Sequence, residues 1–588
     1  MDNHKPSRWR FEIFFALLGA ALLALAWRVV DLQAGWGAGL ARIAQRQQRT
    51  VIHLPARPGN VFARTRGGYT LLASSRQVPS IYADPLLLGE DQLAPTARKV
   101  AAAVGADPAE LFGTMYGRRF QQFAYLVRAV TDQQAEAVRR LKIPGVQVTY
   151  EWRREYPMGP LGVHALGFRR GDGLAGAGIE LAADRWLKAR QGLKVARCDA
   201  ARRGTYAAVE EYRPPRDGQH VLLTLDVVVQ RFLEEALASA AEEFGAAAAM
   251  GVVMDPNTGE LLAIGSVPTY DPNQYEAATP AQHRNRAVTD PYEPGSAFKP
   301  FIAAGAVQME KAELHTTFFC HHGLYNSDGG GTIRDFPGER FGTIPLSEIV
   351  IHSSNIGMAK LGEHLGDRSL YTIAWAFGFG RRTGVDLPGE SPGRLVPTRQ
   401  WSPYATRRLP FGQGPIMVTA LQLANAFCAI ANGGELLRPR IVDRVIDADG
   451  NVIYRARRQR VHRVLSQRVC REFMDQVLVN VVERGTGKRC RLKSWQVFGK
   501  TGTGQIGGPD GYEDQAYTAT FMAGAPVGRP AVVCVISVYR PVYSRGYTGG
   551  RVAAPAVREV LAKTLAYLDV PPEKFQSVVS RPVDRPGT

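Results

Sequence analysis

Three short motifs far apart along the chain limit what it can fold into more than any other feature. Ser296-Ala297-Phe298-Lys299 is followed 57 residues later by Ser353-Ser354-Asn355, and 147 residues after that by Lys500-Thr501-Gly502-Thr503. Residues i and i+3 share one helix face, so Lys299 is expected over Ser296 within hydrogen-bonding reach. Pro294-Gly295 reads as the start of that helix, and Phe298, Phe301, Ile302 and Val307 as its buried side. A serine hydroxyl becomes a nucleophile only when a base takes its proton, and a lysine is a base only when neutral. Burial and a second cation, for which Lys500 is the candidate, would both lower the pKa of Lys299. A fold that uses these side chains together has to bring three remote segments to one place.

Lysine usage sharpens the reading. Only 13 of the 72 Lys and Arg residues are lysines, so arginine serves wherever a plain positive charge is wanted. A guanidinium cannot give up its proton, which makes lysine at 299 and 500 a chemical choice. Ser-x-x-Lys alone arises often by chance in a long chain. The order and company of the motifs point to catalysis.

Taken together, the residues resemble the transpeptidase domain of the class B, monofunctional penicillin-binding proteins. Further stretches fall in the family's order: Leu223-Thr224-Leu225-Asp226, Asp255-Pro256-Asn257-Thr258-Gly259-Glu260, Tyr270-Asp271-Pro272-Asn273, Phe411-Gly412-Gln413-Gly414 and Gly485-Thr486-Gly487. Arg284 to Asp290 and Glu293-Pro294-Gly295-Ser296 resemble the division-type members. The resemblance implies a serine acyl-enzyme route for cross-linking peptidoglycan stem peptides, with D-Ala released and no metal or organic cofactor. Ser296 would be the nucleophile, Lys299 its base, Ser353 a proton shuttle, and Asn355 a partner of Lys299 and of the substrate backbone. Lys500 would supply positive potential, with Thr501, Gly502 and Thr503 binding substrate and Thr501 and Thr503 holding its carboxylate. The N–H groups of Ser296 and Thr503 would form the oxyanion hole. Stem peptides ending in D-Ala-D-Ala and β-lactams are the ligands that the resemblance implies. An elongation-type enzyme, a β-lactam sensor or hydrolase, and an idle scaffold stay open as alternatives.

Local patterns give the fold class independently of the family. Ala247 to Met254 and Val532 to Tyr539 are short apolar runs rich in β-branched residues, hence buried strands. Ala554 to Leu568 has helical spacing, while Asn257-Thr258-Gly259 and Asn432-Gly433-Gly434 mark turns. The expected class is α+β, a mostly antiparallel sheet flanked by helices, which agrees with the serine β-lactamase-like fold of the family.

Residues 11–30 are apolar except for Glu12 and Arg28 near the ends, and Lys5, Arg8 and Arg10 precede them. Twenty residues span ~30 Å, the thickness of a bilayer core. The basic flank places residues 1–10 in the cytoplasm and the rest outside, a single-pass protein of the inner membrane. A cleaved signal peptide is the rival, since Ala24-Leu25-Ala26 fits a cleavage site.

Residues 31–215 read as a non-catalytic pedestal of the dimerisation type, 216–570 as the transpeptidase domain and 571–588 as a flexible tail. Arg57-Pro58-Gly59-Asn60-Val61, Arg154-Glu155-Tyr156-Pro157, His164 to Phe168 and Gly176 to Glu180 resemble the family's pedestal, although Ala63 stands where an acidic residue is usual. Such a segment, with the membrane helix, would hold a glycosyltransferase and other division proteins. The net charge of +18 is spread along the chain, with dense runs at Arg153-Arg154, Arg202-Arg203 and Arg455 to Arg460 and no nucleic-acid motif beside them. Anionic membrane or wall polymers suit it better than nucleic acid. Of six cysteines, Cys470 and Cys490 could bridge, Cys428 and Cys534 sit in apolar runs, and Cys320-His321-His322 lacks the further ligands of a zinc site.

Overall fold

The computed structural model describes residues 8–37, 39, 49–198, 204–327, 331–508 and 511–573. Lys5, Arg202-Arg203 and the polar tail from 574 onward lie outside them. The chain divides into two compact units, Met1–Arg57 with Ala189–Asp217, and Pro58–Lys188 with Gly218–Thr588.

In the first unit, helix α1 (Arg8–Asp31) continues an apolar run to Gly35 with a mean hydropathy of 2.3. None of its residues is buried. By length and composition it is able to cross a membrane. Arg49–Leu54, Gly192–Cys198 and Gly204–Arg213 form a three-stranded antiparallel sheet in the same unit.

The second unit contains helix α2 (Val227–Phe244), strands β1 (Ala248–Met254) and β2 (Leu261–Val267), and helices α3 (Lys299–Gln308) and α4 (Asn355–Ala376). Strands β3 (Phe498–Gly508), β4 (Gly511–Ala525) and β5 (Val532–Tyr539) and helix α5 (Gly549–Tyr567) complete its catalytic part. The five strands form one antiparallel sheet in the order β2-β1-β5-β4-β3. Every residue of β1 is buried, as befits a strand covered on both faces. Ala249 and Val253 pack with Leu233 and Leu237 of α2 and Val557 and Leu561 of α5. Met250, Val252 and Met254 face the other layer, with Phe298, Phe301 and Phe427. The period-2 alternation thus assigns each strand residue to one helical layer. Asp226 caps α2 by accepting from the N–H groups of Val228 and Val229.

A second, seven-stranded sheet runs in the order Val452–Arg455, Val442–Ile446, His220–Asp226, Val61–Thr65, Gly68–Ala83, Ala124–Val127, with Val146–Glu155 also paired to Gly68–Ala83. Val61–Thr65 lies parallel to His220–Asp226, so the strand that leads into α2 shares a ladder with one drawn from the first hundred residues. Ala63 is buried in that strand. Nearby, Glu180 accepts from Arg154 at 2.5 Å and Arg169 at 3.2 Å, and Arg169 also reaches Asp184 at 2.7 Å. The Glu180 side chain is fully buried, and those of the two arginines are 3% and 5% exposed.

Candidate active site

Ser296 sits in a single 3-10 turn, Gly295–Phe298, and α3 begins only at Lys299. The α-helix expected from Pro294 cannot start there, because Pro300 has no N–H to give to the Ser296 carbonyl. That carbonyl accepts from Lys299 N instead, and Pro300 occupies the tolerant first turn of α3. Gly295 has φ +54°, and a Cβ there would stand 2.3 Å from the Thr503 carbonyl oxygen. A Cβ at Gly504 would stand 1.9 Å from the Glu293 carbonyl oxygen. Strand β3 therefore lies directly on the Ser296 turn, at a separation that only glycine permits.

Lys299 is completely buried. Its ammonium donates to the Ser353 carbonyl, to Ser353 Oγ at 3.2 Å and to Asn355 Oδ1 at 2.8 Å. Three donors are all an ammonium has. The expected Ser296–Lys299 hydrogen bond is accordingly not formed, and the half-buried Ser296 hydroxyl makes no hydrogen bond among the described residues. Lys500, also fully buried, donates to the same Ser353 Oγ at 2.9 Å. Ser353 holds this place through a left-handed backbone, φ +67°, at the end of the helix Leu346–His352. A non-glycine residue pays about 1–3 kcal/mol for such a conformation, a cost typical of functional sites. One hydroxyl thus bridges two buried lysines.

Burial, above all, brings Lys299 down to about 7, against an upward pull from Asp335 and Cys320. Lys500 is pushed well below the usual lysine range, first by burial and then by the Lys299 charge. Burial is thus the larger cause for both lysines, and their mutual repulsion adds to it.

Asp335 escaped the sequence reading. Its carboxylate, 7% exposed, accepts from Ser354 Oγ at 3.0 and 2.9 Å, from Asn355 N at 2.6 Å and from Ile356 N at 3.0 Å. It thereby joins the N-terminus of α4, where a negative charge is favoured, to the strand Gly331–Arg334 before it. Asn355 Nδ2 donates to the Arg334 carbonyl at 2.9 Å, which turns Oδ1 toward Lys299.

On β3, the buried Thr501 hydroxyl bonds Thr486 Oγ1 at 2.7 Å and accepts from Lys500 at 3.2 Å. Thr486 belongs to the Gly485-Thr486-Gly487 stretch picked out by its family order alone. Thr503 is half-buried and accepts from Gly549 N at 3.3 Å, so it is the more open of the two threonines. Gly502 lies between them, packed against Ala297. The Cys320-His321-His322 fragment is split, with Cys320 buried near Lys299 and His321 stacked on Tyr325. Cys470 and Cys490 are free thiols in different core clusters.

Residues 249–562 match the family profile described as the penicillin binding protein transpeptidase domain, and residues 53–223 match the penicillin-binding protein dimerisation domain. The chain belongs to the penicillin-binding protein transpeptidase family. It is 30% identical over 572 residues to the probable peptidoglycan D,D-transpeptidase PbpC of Pseudomonas aeruginosa, covering 97% of both chains. It is 29% identical over 587 residues to the peptidoglycan D,D-transpeptidase FtsI of Escherichia coli, covering 96% of this chain and 93% of that one. Among solved structures it superimposes on penicillin-binding protein 3 of Mycobacterium tuberculosis complexed with aztreonam. That match has a TM-score of 0.68 and 25% identity, and covers 89% of this chain and 98% of the other. As in class B members, a dimerisation segment precedes the transpeptidase segment, and the α+β class is that of the family.

Proposed function

We propose that this chain is a membrane-anchored peptidoglycan D,D-transpeptidase that works in septal wall synthesis. The observation that carries the reading is the Ser353 hydroxyl held between two buried lysines, one of them three residues after Ser296, whose own hydroxyl has no hydrogen-bond partner among the described residues. Neutral Lys299 takes the Ser296 proton as Oγ attacks the penultimate D-Ala carbonyl of a stem peptide. The tetrahedral oxyanion is held by the N–H groups of Ser296 and Thr503. The C–N bond then breaks, Ser353 relays the proton to the departing D-Ala amine, and an ester on Ser296 remains. An amine of a neighbouring stem peptide displaces Ser296 and completes the cross-link. Asn355 orients Lys299 and binds the donor backbone, and Thr503, assisted by Thr501, takes the terminal carboxylate. That carboxylate favours the charged form of Lys500, against the downward pull of burial and of the Lys299 charge.

Residues 1–10 remain in the cytoplasm, 11–30 anchor the protein in the inner membrane, 31–215 serve as the pedestal and 216–570 act outside the membrane. The anchor and pedestal hold a glycosyltransferase and other division proteins. The full chain in detergent should turn over a thioester analogue of a D-Ala-D-Ala peptide, and its depletion should give filaments without septa. Penicillin hydrolysis without peptide turnover would replace this reading with a β-lactamase. Round, swollen cells that still divide would assign the enzyme to elongation.

Asp335 gives this mechanism a measurable pH signature. Lys299 is protonated below about 7 and neutral above it, so acylation should rise with pH through that value. Asp335→Asn can keep the acceptor oxygen but removes the negative charge that favours protonated Lys299. The midpoint of the acylation profile should move to lower pH. A lower plateau with an unmoved midpoint would show that Asp335 only positions the motif.

A further inference from the structure

A cavity of about 290 Å³ lies away from Ser296, lined by the helix Asp184–Leu187, the loop at Asp386 and the strands around Tyr454. Four arginines face it, Arg185, Arg438, Arg440 and Arg457, against a single acidic residue, Asp386. Their charges are incompletely neutralised. Arg438 donates from Nε to the Gly384 carbonyl at 2.5 Å and stands 3.9 Å from Asp386. Arg440 pairs with Glu260 at 2.5 Å and donates to the Ala456 carbonyl at 3.1 Å, leaving its buried Nε without a partner. Arg185 is pinned over the Trp186 ring, 3.8 Å from its centroid. Neither Arg185 nor Arg457 has an ion pair among the described residues.

Guanidinium groups tethered by carbonyls and a ring, with few carboxylates, keep their donors for a ligand oxyanion. Because most of these side chains are already held in place, little conformational freedom is lost on binding. Trp186 and Tyr454, 5.2 Å apart and inclined at 32°, add an aromatic wall of the kind that receives the apolar face of a sugar ring. The volume lies at the lower end of the range for small-ligand sites, which admits one sugar residue rather than a chain. We propose that this cavity is a second binding site, taking a single sugar that bears a carboxylate or phosphate.

The carboxylate source is an amino-sugar acid and the phosphate source a sugar phosphate; titration calorimetry of the full chain in detergent separates them. N-acetylmuramic acid is titrated in one arm, glucosamine 6-phosphate in the second and neutral N-acetylglucosamine in the third. Saturable binding is expected for at least one anionic sugar at millimolar concentration and none for the neutral one. Arg185→Gln with Arg457→Gln removes two exposed groups that no carboxylate among the described residues holds, so folding should be preserved, as an unchanged melting temperature would show. Affinity should fall about tenfold or more, the effect of losing one or two charge-assisted hydrogen bonds. No saturable binding of either anionic sugar, or equal binding by the double variant, overturns the proposal. The proposal does not rest on the transpeptidase reading, because Ser296 is not used in either outcome.

Discussion

Ser296→Ala should abolish covalent labelling by a fluorescent penicillin, and Lys299→Arg should reduce the acylation rate by roughly 10²–10⁴-fold, the usual contribution of a general base. A β-lactam presents a strained amide to the nucleophile in place of the D-Ala-D-Ala bond, so it reports on the first half of the reaction alone. Arginine keeps the positive charge and much of the length of lysine but cannot exist neutral in this setting. It also brings a planar fork into a site where three donors converge on Ser353 and Asn355. Lys500→Arg should be milder, since that residue is asked for potential rather than proton transfer. Intact-protein mass spectrometry checks the adduct. Attachment to a residue other than Ser296 would overturn the site, and near-normal labelling of Lys299→Arg would remove Lys299 as the base.

Glu180→Ala should destabilise the second unit by about 3–5 kcal/mol, the cost of leaving buried charges without their partner. Arg154 keeps the Gly59 carbonyl at 2.6 Å, and Arg169 keeps Asp184 and the Gly173 carbonyl, but neither recovers the lost negative charge. The packing of Tyr156, whose hydroxyl accepts from Arg169 N at 2.6 Å, depends on the same cluster. Glu180→Gln keeps acceptor and donor capacity and should cost less. Denaturant unfolding followed by circular dichroism is the measurement; a loss below ~1 kcal/mol for the alanine variant would mean that solvent or backbone carbonyls satisfy both guanidiniums.

The contrast between these residues shows what a sequence can display. Ser296, Lys299, Ser353, Asn355 and Lys500 announce themselves because each motif is short and its chemistry is complete within four residues. The buried strands β1 and β5 are equally plain, since their apolar runs are bounded by turn residues. Asp335 stands alone between Arg334 and Phe336, 18 residues before Ser353, and only the closing of the chain brings it onto the start of α4. Glu180 was visible as part of a family stretch, but its partners lie 26 and 11 residues back, so the ion cluster was not. The protonation of the Lys299–Lys500 pair is hidden for another reason. Which of two close lysines yields its proton depends on desolvation and on neighbours such as Asp335, and neither is a property of spacing.

The contact between Gly295 and the Thr503 carbonyl, and between Gly504 and the Glu293 carbonyl, has a bearing on drug escape. Any side chain larger than hydrogen at either position must displace the Ser296 turn or the strand against it. A substitution at either glycine should therefore impair acylation by a β-lactam and turnover of a peptide together.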